Sequence, residues 1–215
     1  MTFLVVLIGW IFSLCLHEFS HALVAYLGGD VSVKDKGYLT FNPLKYTHPV
    51  YSLLLPMVFL LLGGIGLPGG AVYIETWRLR SRRWESAVSL AGPFANLVLA
   101  VLLGLVLHYV PHPNDGVWPG LAFLALMQVS AVVLNLIPVP PFDGYGALAA
   151  YLNANVRATI SQAGGMITMV VFLVLWYVPF VNGLFWKTVG WLSVRMQIPV
   201  DLAITGLTQF QFWRR

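Results

Sequence analysis

The 215-residue sequence has few charged side chains and a single cysteine. Only 9% of its residues are charged and 59% are hydrophobic, whereas soluble globular domains carry roughly 25% charged residues. This composition excludes a soluble domain with one anchor, and no stretch is long and polar enough for a separate soluble domain. The lone Cys15 excludes an intrachain disulfide. We therefore expect a polytopic membrane protein, in which the net charge of +4 reflects orientation in the bilayer and not nucleic-acid binding.

Apolar runs separated by short polar segments predict the membrane helices. At ~20 residues per spanning helix, these runs leave room for five or six membrane segments. The first run, 3–27, lacks the basic start and the small-residue cleavage site of a signal peptide, so we expect it to be retained. A second run, 50–67, has Pro56 early and three glycines late. The further runs are 86–110, 120–137, 163–181 and 183–198.

Shorter stretches predict the remaining structure. Residues 31–41 alternate in a way that suits a short hairpin, and residues 69–74 look extended. A proline-rich turn occupies 138–144, and we expect a short helix near 145–158. The predicted fold class is an all-α polytopic membrane protein with a small membrane-embedded β element.

The lysine and arginine residues indicate how the chain crosses the membrane, because basic residues mark the cytoplasmic side. The basic clusters at 34–45 and 78–83 fall on one side only if the run 50–67 does not cross. The loop 111–119, which has no lysine or arginine, then lies outside. The rule therefore favours a re-entrant hairpin at 50–67 over a full span, with the helix at 3–27 running from outside to inside.

Residues 17–21 read His-Glu-Phe-Ser-His inside the first apolar run. On a helix, His17 and His21 stand one turn apart on one face, where two imidazoles can share a metal ion. Glu18 is then close enough to act on a water molecule at that metal. Because ionisable groups are costly inside a membrane segment, three of them in five residues indicate a functional site.

A hydrolytic zinc site needs a third protein ligand and one open position. Six residues after His21, where the metzincin pattern places another histidine, the chain has Leu27. Glu75 and Glu85 lie in an Arg-rich stretch typical of a water-exposed loop. The remaining acids lie in polar or terminal surroundings: Asp30, Asp35, Asp115 and Asp201. Asp143 directly abuts an apolar span, and we predict it as the third ligand; the alternative is a turn aspartate before a glycine.

Three stretches resemble the signature motifs of the site-two protease family, which are intramembrane zinc metalloproteases. They are the residues 17–21, the sequence Ala-Gly-Pro-Phe-Ala-Asn at 91–96, and Asn-Leu-Ile-Pro-Val-Pro-Pro-Phe-Asp-Gly at 135–144. Their order and spacing match the family over about residues 10–150. We interpret Gly92-Pro93, within the second stretch, as a helix start with proline in the first turn.

Two other stretches bear on which branch of that family the chain resembles. Leu-Thr-Phe-Asn-Pro at 39–43, followed by His-Pro at 48–49, is similar to a compact prokaryotic branch. That branch usually has a Trp-Ala-Lys-Pro-like sequence before an embedded strand, and this chain departs from it with Gly-Leu-Pro-Gly-Gly at 66–70. A lysine contact at this place is therefore lost, although the strand itself is still expected.

The resemblance implies a role for each candidate residue. His17, His21 and Asp143 would bind one Zn²⁺ per chain, and Glu18 would move a proton from water to the leaving amine. Asn135 would hold the substrate backbone or the oxyanion, with hydrogen bonding between helices as its alternative role. Asn96 is a weaker candidate for the same task.

A helical substrate must be unwound before its carbonyl can be attacked, because all its amides are paired internally. Residues 70–74 could offer replacement hydrogen bonds to the extended substrate by strand addition. We therefore expect a proline at Val72 to abolish cleavage while leaving the zinc content intact.

The predicted function is zinc-dependent endoproteolysis within or near the transmembrane segments of membrane-protein substrates. The protein would lie in the lipid bilayer of a prokaryotic plasma membrane, with its active site toward the cytoplasmic side. Its metalloprotease core would occupy 1–158, followed by C-terminal transmembrane helices at 159–215; no motif indicates an oligomeric state. The alternative is a membrane transporter or sensor that binds metal without catalysis. The intramembrane acids are confined to Glu18 and Asp143, which favours the hydrolase.

Overall fold

The computed structural model describes residues 1–46, 72–111 and 113–214. Within these residues the chain forms nine α-helices and no β-strand. In chain order the helices are α1 (Thr2–Gly28), α2 (Ser32–Asp35), α3 (Arg82–Tyr109), α4 (Trp118–Asn135), α5 (Asp143–Ala149), α6 (Ala154–Gln162), α7 (Gly164–Tyr177), α8 (Pro179–Arg195) and α9 (Val200–Phe210). Short 3₁₀ turns occupy Pro43–Lys45, Thr76–Arg78 and Phe212–Arg214.

Three helices, α1, α3 and α4, are long and apolar enough to cross a membrane. They have 27, 28 and 18 residues, so they are about 40, 42 and 27 Å long, against a hydrocarbon core of about 30 Å. Their positions agree with three of the predicted runs, and the prediction of a multi-pass membrane protein is confirmed. Helix α1 ends as predicted at its glycine pair, where Gly29 has a φ of 119° and its N–H bonds to the carbonyls of Ala25 and Tyr26.

The predicted count of five or six spans is not confirmed. Helices α7 and α8 have 14 and 17 residues, about 21 and 26 Å, which is less than the hydrocarbon thickness. Val178 is extended because the following Pro179 disfavours helical backbone before it, so the apolar stretch breaks there. The described residues contain three candidate spans, or four if α6 and α7, bent by 65°, form one. The run 50–67 lies outside the described residues.

The predicted hairpin at 31–41 is wrong. Asp30 accepts hydrogen bonds from both the backbone N–H and the hydroxyl of Ser32, and this local bonding starts the helix α2 in place of a strand. Residues 72–75 have no strand pairing with other described residues, and 69–71 are not described. The predicted short helix near 145–158 is two helices, α5 and α6.

Helices α1, α3 and α4 pack against one another, and α5 packs against α3. Helix α9 joins the same core, because Phe210 is fully buried against α1 and α4 and Gln209 accepts a hydrogen bond from the Thr2 hydroxyl. A second cluster packs the segments 33–46 and 72–79 against α1. This packing brings the start of α5 and the segment after residue 71 to the motif-bearing face of α1.

Candidate active site

His17, Glu18 and His21 all lie on the buried side of α1. The one-turn spacing brings Nε2 of His17 to 3.0 Å from Nε2 of His21. Nδ1 of His21 lies 2.6 Å from the carbonyl oxygen of Val88, and since a carbonyl only accepts, this nitrogen carries the proton. With its proton on Nδ1, the ring can present the lone pair of Nε2 to a metal ion, which is the arrangement that metal-binding histidines adopt.

Asp143, the first residue of α5, reaches the same point from another part of the fold. Its Oδ2 lies 3.2 Å from Nε2 of His17, and its Oδ1 lies 3.5 Å from Nε2 of His21. Burial raises the pKa of Asp143, but the neighbouring imidazoles outweigh this and lower it below its usual value. Gly144 permits the placement, because a Cβ there would overlap the carbonyl oxygens of Leu136 and Ile137. The carboxylate is therefore ionised and held against both rings.

The three side chains fit a zinc ion. Their ligand atoms lie within 4.8 Å of one another. Two ligands bound about 2.0–2.1 Å from a tetrahedral zinc are about 3.3 Å apart, and the observed separations of 3.0, 3.2 and 3.5 Å lie close to that value. The buried Oδ2 of Asp143 has no hydrogen-bond donor among the described residues. Two imidazole nitrogens and a carboxylate that converge in this way could hold a zinc ion and leave one of its positions open.

The ligands border a cavity of about 360 Å³. Glu18 and Asn135 line the same cavity, so the structure brings together all five predicted site residues. Oε2 of Glu18, a residue only 4% exposed, accepts a hydrogen bond of 3.2 Å from the backbone N–H of Val72. Asn96 is buried on α3 but does not line this cavity. Of the two asparagines considered for contact with the substrate, only Asn135 therefore borders it.

Gly92 is a site residue that the sequence interpretation missed. The expected helix start at Gly92-Pro93 is wrong, because α3 begins at Arg82 and Pro93 lies inside it. A Cβ on Gly92 would lie 2.5 Å from Nε2 of His17 and would also overlap His21. Because Pro93 has no N–H, the carbonyl of Ser89, four residues earlier, receives no helical hydrogen bond from it. Ser89 borders the cavity. A glycine beside a proline within an apolar run was the available signal.

Asp30 is a second missed residue. The sequence placed it in polar surroundings, but it is 0% exposed. Its Oδ2 accepts a hydrogen bond of 2.7 Å from the backbone N–H of Glu75. An aspartate two residues before a serine predicts a local turn, but no local pattern indicates a partner 45 residues away.

Glu75 and Glu85 were expected in a water-exposed loop. In the structure both are partly buried and form ion pairs. Lys36 and Arg78 both bind the carboxylate of Glu75, and their hydrogen bonds lower its pKa to about 2. Glu85 pairs with Arg157. Neither glutamate belongs to a possible metal-binding group among the described residues, which agrees with their exclusion as ligands.

Comparisons with known proteins point to one family. The model of peptidase family M50 matches residues 3–113, just over half of the chain. The chain is 47% identical over 214 residues to the Mycolicibacterium smegmatis protein named "Putative zinc metalloprotease Rip2", covering 98% of this chain and 81% of that protein. It is 31% identical over 185 residues to the Bacillus subtilis protein named "Putative zinc metalloprotease YwhC", covering 82% of this chain and 81% of that one. No solved structure matches the chain significantly.

Proposed function

Because the chain belongs to peptidase family M50 and is a zinc metalloprotease of the site-two type, we propose that the cavity beside α1 is its active site. In this proposal His17, His21 and Asp143 hold one Zn²⁺ per chain. The observation that carries it is the convergence of these side chains, from α1 and α5, to ligand separations of 3.0–3.5 Å. The alternative of a transporter or sensor is not favoured, because the relatives are named as proteases.

Peptide hydrolysis needs a proton acceptor that later becomes a donor. When bound, zinc would lower the pKa of a water molecule to ~7 and polarise the scissile carbonyl. Glu18 takes a proton from water as the water oxygen bonds to the carbonyl carbon. It returns a proton to the amine nitrogen as the carbon–nitrogen bond breaks. One water is consumed, and a carboxylic acid and an amine are formed; the acid then ionises, and its proton is taken up by the amine. Burial of Glu18 and its hydrogen bond from Val72 support this role, because they hold the carboxylate in one position beside the ligands.

Asn135 supplies the polar contact to the reacting peptide. It is the last residue of α4 and is buried. Among the described residues that line the cavity, it is the one with an amide side chain. In the proposal its N–H₂ group donates to the developing oxyanion or to a substrate carbonyl.

The substrate is a membrane-spanning segment that binds in extended form. Residues 72–74 run along the cavity, and the backbone N–H of Ile74 has no partner among the described residues. An unwound peptide could pair with this segment and recover part of the hydrogen bonding that its helix loses. Strand addition of this kind requires only an extended edge, so it does not depend on a preformed sheet.

The active site lies toward the cytoplasmic face of a plasma membrane. His21 is about 10 Å along α1 from Gly28, and beyond that end lie the basic residues of 34–45 and 78–83. Since basic residues collect on the cytoplasmic side, this end of α1 is the cytoplasmic one.

The decisive experiment measures zinc content and cleavage of a model transmembrane peptide by purified protein. Glu18→Gln is expected to retain zinc and to lower the rate by about 10²–10⁴-fold, because it removes the proton acceptor without touching a ligand. Ser20→Ala is the control on the same helix, since among the described residues the Ser20 hydroxyl bonds only to the carbonyl of Leu16, and it should cleave as the parent does. Cleavage by Glu18→Gln at the parental rate would overturn the proposal.

A further inference from the structure

Val72 and Ile74 border the cavity, but no regular backbone structure among the described residues holds the segment 72–75 there. Val72 and Ile74 pack against the apolar cluster on α1, and further polar attachments come from side chains that follow the end of α1. The fully buried Asp30 uses Oδ1 to accept hydrogen bonds from the N–H and the hydroxyl of Ser32, at 3.1 and 2.6 Å. It uses Oδ2 to accept the backbone N–H of Glu75 at 2.7 Å. One carboxylate thus joins the start of α2 to the cavity wall.

Lys36 makes a second, more accessible attachment to the same segment. Its ammonium group donates to the carbonyl of Tyr73 at 3.2 Å and to Oε1 of Glu75 at 2.8 Å. It also donates to the hydroxyl of Ser32 at 2.9 Å, the group that donates to Asp30. Lys36 and Asp30 therefore belong to one network, which contacts the segment at Tyr73 and at Glu75.

We propose that Asp30 is a positioning residue for the proteolytic reaction, because it sets the place of the segment 72–75 at the active site. The inference rests on the proposed function. Three residues before Glu75, the N–H of Val72 reaches Oε2 of Glu18, and Val72 and Ile74 line the cavity. A displaced segment would therefore change both the orientation of the proton acceptor and the edge available to the substrate.

The energetics favour this role over that of a passive core residue. A charged group is buried at this depth only when hydrogen bonds compensate its lost hydration, and bonds to an ionised acceptor are stronger than neutral ones. Among the described residues, the three hydrogen bonds that Asp30 accepts come from Ser32 and Glu75. These hydrogen bonds therefore link the start of α2 to the segment 72–75, and they do not cap a long helix.

Asp30→Asn separates the two links. The carbonyl oxygen of asparagine can still accept from Ser32, so the turn into α2 is retained. Its NH₂ group then faces the N–H of Glu75, and two donors oppose each other where a bond was. We expect amide exchange of the 72–75 peptide to rise about 10-fold or more, the KM for a transmembrane peptide to rise, and kcat/KM to fall by about 10-fold. Zinc per chain should stay parental.

Asp35→Asn is the matched control, because it removes the same charge from an exposed position on the adjacent helix α2. If Asp30→Asn does not fold, Lys36→Met tests the same network from its solvent-facing side, with the exposed Lys34→Met as its control. Lys36→Met should change exchange and KM in the same direction by a smaller factor, and both controls should match the parent.

Exchange rates distinguish failure of this inference from failure of the proposed function. Parental exchange at 72–75 and parental KM in Asp30→Asn, or in Lys36→Met where the former is unfolded, would overturn the positioning role even if Glu18→Gln is inactive. Parental cleavage by Glu18→Gln would overturn the proposed mechanism, whatever the exchange data show. A merely structural role for Asp30 predicts faster exchange throughout α1 and fewer active molecules with an unchanged KM, and this outcome would also overturn the inference.

Discussion

Two walls of the cavity are built by different physical means. The helical wall consists of His17, Glu18 and His21 on α1 and Asn135 at the end of α4, whose positions follow from helix periodicity and close packing. The segment wall consists of residues 72–75, which have no regular structure and depend on side-chain contacts from Asp30 and Lys36. The first wall belongs to the membrane core, whereas the second is attached to it by a few hydrogen bonds and by the packing of Val72 and Ile74 against α1.

This difference suggests that metal binding and peptide handling are separable in the molecule. Zinc ligands must be held to a fraction of an ångström, which paired helices achieve through their backbones. A peptide-binding edge must accept many sequences and release products, which suits a segment whose local opening costs little free energy. Changes to the metal ligands, or to the packing directly behind them, should therefore affect zinc, whereas changes in the segment wall should affect substrate handling at constant zinc.

Asp143→Asn, which removes one metal ligand, should break the metal site with the largest effect. An amide is a much weaker zinc ligand than a carboxylate, and it also leaves the two imidazoles without their negative partner. Substitutions of residues that only orient metal ligands lower metal affinity or activity by about 10–100-fold. Since Asp143 is itself a proposed ligand, we expect cleavage to fall by at least about 10³-fold, with loss of bound zinc. Asp115→Asn, at an exposed position, is the control. Parental zinc content in Asp143→Asn would show that this carboxylate is not a ligand.

Val72→Pro should give a large effect on the segment wall alone. Proline removes the N–H that donates to Glu18 and disrupts the edge offered to substrate. Cleavage should fall by about 10²-fold, within the range for a misoriented proton acceptor, while zinc content stays parental. Val72→Ala keeps the N–H and should cleave within a few-fold of the parent. Unchanged cleavage in the proline variant would exclude both roles of the segment.

Gly92→Ala should test the close packing behind the metal ligands. The added methyl would overlap both imidazoles, so at least one ring must turn away from its metal-binding position. We expect zinc affinity to fall by about 10–100-fold, as for other changes that reorient ligands. Gly190→Ala adds the same methyl to a helix where a Cβ meets nothing within 4 Å. Equal zinc affinities in the two variants would mean that α3 adjusts without cost.

The helical wall and the extended stretch that ends at residue 74 could be predicted from the sequence, whereas the contacts that hold this stretch at the cavity could not. Hydrophobic run length placed the long helices, and the spacing of His17 and His21 placed two ligands on one face. Asp143 followed from the surroundings of each acid along the chain. The network of Asp30 escaped prediction because its partner, the N–H of Glu75, is a backbone group in a distant segment. The predicted C-terminal spans are not confirmed, because hydropathy does not register the break before Pro179.

The smallest expected effect concerns the carboxylate of Glu75, because the ion pairs that hold the segment wall should make its stability depend on pH. Hydrogen bonds from Lys36 and Arg78 lower the pKa of Glu75 to about 2, from an ordinary 4.5. Between these values the folded chain binds fewer protons than the unfolded chain, so the stabilisation from Glu75 is complete above pH 4.5 and is lost as the pH falls toward 2. The melting temperature of the parent should therefore exceed that of Glu75→Gln by a few degrees at pH 6, and the difference should shrink steadily below pH 4.5. Because the ion pairs are near the surface, high salt should also reduce it. A difference that stays constant from pH 6 to pH 3 would show that the Glu75 carboxylate does not hold the segment through its charge.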